Sequence, residues 1–130
     1  MKRLLLDTHA LIWVVRNDPA LAKTAIRAFE AADEIYCSVV SYWEIAIKRG
    51  KDKEEFPLPG NWLDLLTGEM VLTGMKLLGV ELDHCQAVES LPLHHKDPFD
   101  RMLIAQAKVA GLAILTKDPQ FRKYDVEVVW

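Results

Sequence analysis

Apolar positions follow two rhythms along this chain. The run "RLLLD", residues 3 to 7, is short and unbroken, as in a strand covered on both faces, and "THALIWVV" then shifts to helical spacing. Residues 20 to 32, "ALAKTAIRAFEAA", predict a second helix with Leu21, Ala25, Ala28 and Phe29 on one face. "EIYCSV" predicts a strand, and "SYWEIAIKRGK" a helix opened by the S-x-x-E capping box of Ser41 and Glu44 and ended at Gly50. "KDKEEFPLPG", residues 51 to 60, is the clear loop. A helix capped by Asn61 follows in "NWLDLLTGEMVLTGM", then a strand in "KLLGVEL" and a short helix in "HCQAVESL". "DPFDRMLIAQAKVAG" is the strongest helix, with Asp97 as N-cap, Pro98 at the first position and Gly111 closing it. "LAILTKD" predicts a strand, "PQFRKY" a turn, and "VEVVW" a last strand.

Strands alternating with helices predict an α/β fold, three layers with a mostly parallel central sheet. At 130 residues the chain has the size of one domain, residues 1–130. Ligands in such folds bind beyond the carboxyl ends of the strands, so residues at strand-to-helix junctions matter most. A 51% hydrophobic and 27% charged composition predicts a chain that folds, and no apolar run approaches a membrane span. The start is cut by Asp7 and His9 too early for a signal peptide, which predicts a cytoplasmic protein. Cys37 and Cys85 lie in apolar segments without metal-ligand spacing and read as small buried thiols. The net charge of −3 lacks the basic footprint of bulk nucleic-acid binding. An acidic pocket filled by divalent cations would invert that field locally.

Four acids fall at junctions: Asp7 after the first strand, Glu44 in the first turn of the helix after the second, Asp100 in the first turn of the strong helix, and Asp118 after "AILTK". Helix starts attract acids through capping and the macrodipole, so each has an ordinary explanation: Asp7 and Asp118 as caps, Glu44 in a capping box or paired with Lys48. Asp100 fits that explanation least. Asp97 already caps the helix, and 100, 103, 104 and 107 form one stripe, so Asp100 should face inward at the edge of the core. A buried carboxylate needs a cation: Arg101 and Lys117 are near in sequence, but several carboxylates together point to a divalent metal. Oxygen ligands without a Cys/His cluster suit Mg²⁺ or Mn²⁺. His94 and His95 read as solvated loop residues, and His9 as packed or exposed. Without a phosphate-cradling loop or a Ser-His-Asp order, such a site suits hydrolysis of a phosphodiester by water.

With these residues in place the sequence resembles the PIN-domain nucleases, especially the VapC-like toxins of toxin–antitoxin pairs. The resemblance rests on "LLLDTHALIW", "SVVSYWEIAIKRGK", "DPFDRMLIAQAKVAGLAILTKDPQF" and "VEVVW", and spans nearly the whole chain. It implies an α/β/α fold and a metal-dependent endoribonuclease. Asp7, Glu44, Asp100 and Asp118 match the family's four acids, and Thr116 a small hydroxyl residue supporting the site or the attacking water. On this reading Asp7 and Asp100 anchor the metal, Glu44 and Asp118 complete the pocket, and Asp97 caps the helix with a role in the outer shell left open. The resemblance also implies an RNA substrate, a cognate antitoxin and a homodimer. Trp13, Trp43 and Trp62 offer contact surface, although Trp13 and Trp43 read first as core; Lys48, Arg49, Lys51, Lys53, Arg101 and Lys117 are candidates to meet RNA phosphates, although charged residues on helix ends are more often just solvated.

Two other classes compete. A Mg²⁺-binding signalling receiver needs an acid pair after the first strand and a phosphoacceptor after a middle one, whereas Asp7 is followed by Thr8 and Asp83 is the one possible acceptor. A catalytically silent binding module would keep the fold to hold a partner.

Overall fold

Leu4, Leu5 and Leu6 are all fully buried, so the first strand, β1 (Arg3–Leu6), has both faces covered, as its unbroken apolar run predicts. The computed structural model describes residues 2–52 and 56–130, so Lys53 lies outside the described residues. Helices α1 (Thr8–Arg16) and α2 (Lys23–Ala31) lead to β2 (Glu34–Ser38) and α3 (Val39–Lys51). Next come α4 (Trp62–Thr73), β3 (Lys76–Leu78), α5 (Leu82–Ser90), α6 (Pro98–Ala110) and β4 (Ala113–Leu115), then a 3₁₀ turn (Pro119–Lys123) and β5 (Val128–Val129).

All four strand pairings are parallel, in the order β3-β2-β1-β4-β5. Alternate residues of each strand enter different cores. Leu6, Cys37 and Leu115 pack with α1, α2 and α4, while Leu5 and Ile114 pack with α5 and α6. This is the three-layer α/β/α arrangement predicted from the alternation of elements. No helix among the described residues is long and apolar enough to cross a membrane.

Several local expectations are corrected. Helix α3 starts two residues earlier than predicted because the Ser38 hydroxyl, not that of Ser41, accepts from a first-turn amide, Val40 N, at 3.0 Å. Ser41 is buried instead, Glu44 moves to the second turn, and Gly50 lies within the helix. Asn61 stands at the start of α4 without a side-chain cap. Strand β3 stops at Leu78, and α5 begins at Leu82, where the Glu81 amide donates to His84 Nδ1 (2.9 Å). Cys85 is exposed while Cys37 is buried, and Trp43 is 59% exposed rather than core. Helix α6 is as read: Asp97 Oδ1 accepts from Phe99 N and Asp100 N, and Gly111 at φ 70° provides the left-handed residue that ends it.

Gln106 of α6 fixes that helix to the sheet. Fully buried, it accepts from the Ser38 hydroxyl (2.6 Å) and donates to Gly79 O (3.1 Å). Replacing Gln106 by Leu keeps the volume but orphans both partners, and should lower stability by about 1–3 kcal/mol in urea denaturation. An unchanged midpoint would show that these bonds add nothing.

Candidate active site

Sheet register brings the candidate residues together. Leu6 aligns with Cys37 on one side and Leu115 on the other, so Asp7, Ser38 and Thr116 each stand one residue past the same row. A helix that returns to start a parallel strand has its own N-terminus at the carboxyl edge of the sheet. Helix α6, which precedes β4, therefore delivers Asp97 and Asp100 to that edge.

Asp7 both caps α1 and belongs to the cluster. Its amide donates to Leu115 O (3.1 Å), continuing the ladder, and its Oδ1 accepts from Ala10 N (2.7 Å). The Thr116 hydroxyl donates to Asp7 Oδ2 at 2.5 Å and accepts from Asp118 N at 3.0 Å. One buried threonine thus ties the two acids together. Burial pushes the Asp7 carboxyl up to about 6, against the pull of Thr116, Ala10 and His9, and the Asp118 charge adds to the rise. Asp118 itself caps the 3₁₀ turn, its Oδ1 accepting from Gln120 N (2.9 Å).

Glu44 is buried with both oxygens engaged. The Thr8 hydroxyl donates to Oε1 (2.6 Å) and lies 3.0 Å from Ser41 Oγ, while Lys48 Nζ donates to Oε2 (2.6 Å). The expected Glu44–Lys48 pair therefore exists, but at a buried carboxylate, not on a solvated face.

Asp100 crowns the stripe of Leu103, Ile104 and Ala107, all buried, and faces the cluster as its spacing predicts. Neither Arg101 nor Lys117 neutralises it. Its partner is His95, whose Nε2 lies 2.7 Å from Asp100 Oδ2. Burial first, then the fields of Asp97, Glu44 and Asp7, push the Asp100 carboxyl up to about 7, and His95 pulls it down. Among the described residues, His95, Asp97 and Asp100 form the group whose donor atoms all lie within 4.8 Å of one another. Asp7 and Glu44 reach Asp100 through their fields, and Asp118 reaches Asp7 in the same way. The arrangement is thus a row of carboxylates with an excess of negative charge, able to hold a hard cation through oxygen with one imidazole at its end.

The candidate cations differ in how far their charge is already engaged within the chain. The Arg101 guanidinium donates to Val88 O, Leu91 O and Pro92 O, tying down the end of α5. Arg49 donates to Phe56 O and Leu58 O, and Lys48 is bound to Glu44. Lys51 and Lys117 stay exposed.

His95 and Thr8 are the site residues that sequence reasoning missed. His95 sits in irregular backbone before Pro98, where no periodicity shows which way a side chain turns; it is set by Tyr124, whose hydroxyl takes the His95 amide (2.8 Å). His94 is exposed with its ring against Tyr124, as a loop residue should be. Thr8 offered one signal, its place directly after Asp7.

Comparisons with known proteins bear on the family and the fold. The PIN domain family model matches residues 4–127. Ribonuclease VapC22 of Mycobacterium tuberculosis is 27% identical over 126 residues, covering 95% of this chain and 93% of that protein. Among solved structures, VapBC2 of Rickettsia felis bound to a promoter DNA fragment superposes with a TM-score of 0.68 at 10% identity, covering 97% of this chain and 96% of that one. A toxin–antitoxin complex from Klebsiella pneumoniae superposes with a TM-score of 0.64 at 19% identity, covering 98% and 96%. With the family model covering all but the ends, and the same fold recurring in these structures, this chain belongs to the PIN domain family.

Proposed function

We propose that residues 1–130 act as one PIN-like nuclease domain, a Mg²⁺- or Mn²⁺-dependent endoribonuclease that is the toxin of a toxin–antitoxin pair. The observation that carries the reading is the crowding of Asp7, Glu44, Asp97, Asp100 and Asp118 at one sheet edge, where Asp7 and Asp100 both hold protons far more tightly than ordinary aspartates. Such a row is unfavourable by itself and fits a hard divalent cation. Asp7 and Asp100 would hold it, with Glu44 and Asp118 completing the pocket and Asp97 in the outer shell. A bound cation supplies positive charge against the phosphate oxygens and lowers the pKa of a nearby water.

The chain's own residues do the positioning. Thr116 fixes the Asp7 carboxylate and, through the Asp118 amide, the start of the 3₁₀ turn. Thr8 and Lys48 hold Glu44 from both sides, and His95 orients Asp100. Similarity to a protein named a ribonuclease supports RNA as substrate, and the likeness to toxin–antitoxin complexes supports a small protein antitoxin. An exposed apolar cleft of about 620 Å³, lined by Val39, Trp43, Val80, Leu93 and Met102 among others, offers surface for the antitoxin or a second copy in a homodimer.

The reading is tested by incubating the protein with total RNA in Mg²⁺, Mn²⁺ or EDTA. Discrete cleavage in either metal, lost in EDTA, is expected; intact RNA throughout would reject it. Asp83, the receiver-type acceptor, lies exposed on α5 rather than after a strand. His95→Ala should weaken Mn²⁺ binding by about 10-fold, the lower end for loss of a group orienting a ligand. Titration calorimetry reads this directly, and an unchanged affinity would remove His95 from the site.

A further inference from the structure

We infer that the cleft walled by His9 and Trp13 is a subsite for one unpaired RNA base next to the bond that is cut, an inference that rests on the ribonuclease reading above. The cleft has a volume of about 430 Å³ and is lined by Asp7, His9, Trp13, Lys117, Asp118 and Pro119. Two of the proposed catalytic acids and two aromatic rings thus share one depression. His9 and Trp13 are four residues apart on α1, so their side chains stand one above the other on a single helix face. Capping by Asp7 fixes the first turn of that helix, so the same carboxylate that faces the reaction also sets the wall.

The rings are held from behind. The Trp13 ring packs edge-on against Trp130 with centroids 5.7 Å apart, and the His9 ring lies 5.3 Å from that of buried Phe56. His9 remains exposed and Trp13 half-exposed toward the cleft. Lys117 is exposed and has no carboxylate partner among the described residues, so it is available to the phosphate on the far side of a stacked base.

Flat aromatic faces beside a cation are how single-stranded RNA is held, since every base has a π-face to stack. The need is sharp in this chain. With a net charge of −3 the chain has no general basic hold on an RNA backbone away from the metal pocket, so an uncharged stacking contact adds to holding the strand. A peptide segment would also cover the rings, but it gives no role to Lys117 beside the proposed reaction site.

The test uses synthetic RNA spanning a cut site mapped in total RNA, with a single abasic nucleotide moved along the strand. One position, at a fixed distance from the cut bond, should slow wild-type cleavage about tenfold in kcat/KM, the scale of one lost stacking contact. In His9→Ala and in Trp13→Leu the intact RNA should itself be cut more slowly, and the abasic penalty at that position should vanish. Trp13 packs on Trp130, so circular dichroism must accompany Trp13→Leu; His9→Ala removes an exposed ring and stands by itself. An abasic penalty that appears at no position, or persists unchanged in His9→Ala, overturns the subsite. Unaltered cleavage by the variants together with weakened antitoxin binding assigns the cleft to the protein partner and also overturns it. Absence of any wild-type cleavage in Mg²⁺ or Mn²⁺ rejects the ribonuclease reading itself, and the subsite with it.

Discussion

RNA cleavage by Asp100→Asn is expected to fall at least about 100-fold, with Asp7→Asn behaving alike, while both variants keep the wild-type circular dichroism spectrum. A cation at the reacting phosphate is worth several kcal/mol, and each 1.36 kcal/mol is a factor of ten in rate. The fold should survive because asparagine resembles the protonated aspartate toward which burial shifts both sites. At position 7 the amide oxygen can still accept from Ala10 N, and the Thr116 hydroxyl can turn to accept from the new NH₂ group. At position 100 the NH₂ group can donate to His95 Nε2 in its other tautomer. Without metal near pH 8 the Asn variants should therefore melt no lower than the wild type. Wild-type rates in both variants would remove these residues from the site; low rates with a lost spectrum would make them structural.

The second large effect is on stability, and its sign follows from the same carboxylates. Asp7 and Asp100 titrate near 6 and near 7 when folded, against an ordinary value of 3.8. Between those limits the folded chain binds more protons than the unfolded one, so the metal-free protein loses stability as pH rises from about 4 to above 7. The loss is on the order of a few kcal/mol. Bound Mg²⁺ or Mn²⁺ should reverse it, since the cation binds the ionised folded form and raises Tm by mass action. The gain in Tm on adding Mn²⁺ should thus be large at pH 8 and nearly absent at pH 5. Glu34 has the opposite sign but a separate window. The Tyr36 hydroxyl, then Lys76 and Arg3, hold its carboxyl down at about 2, so its contribution is present above about pH 4.5 and lost only in stronger acid. Thermal melts from pH 4.5 to 8, in EDTA and in Mn²⁺, lie above the Glu34 window and read the Asp7 and Asp100 effect alone; an equal Tm gain at every pH would contradict the proposed ligands.

Much of the site was legible in the sequence because its elements are governed by local rules. Asp97 and Pro98 begin α6, Gly111 ends it, and the 3.6-residue repeat turns Asp100 toward the core side. The α3 boundary was misread because two serines, Ser38 and Ser41, offer the same capping chemistry three residues apart. Tertiary contacts chose between them: Gln106 of α6 receives the Ser38 hydroxyl, whereas Ser41 turns inward to Thr8. The partners of the cations were hidden for a related reason. A guanidinium on a helix surface looks solvated until the chain folds back over it, as the end of α5 does over Arg101.

By itself the sequence determined the α/β alternation, the two buried faces of β1 and the acids at the strand-to-helix junctions, because hydrophobic period and capping are local properties of the backbone. Only the tertiary structure decided which groups surround those acids: His95 on Asp100, Thr8 and Lys48 on Glu44, and Thr116 between Asp7 and Asp118. These partners come from separate elements, and a hydrogen bond between distant segments has no period in the chain to announce it. It exists because parallel register places Asp7 and Thr116 at the same level past one row of the sheet.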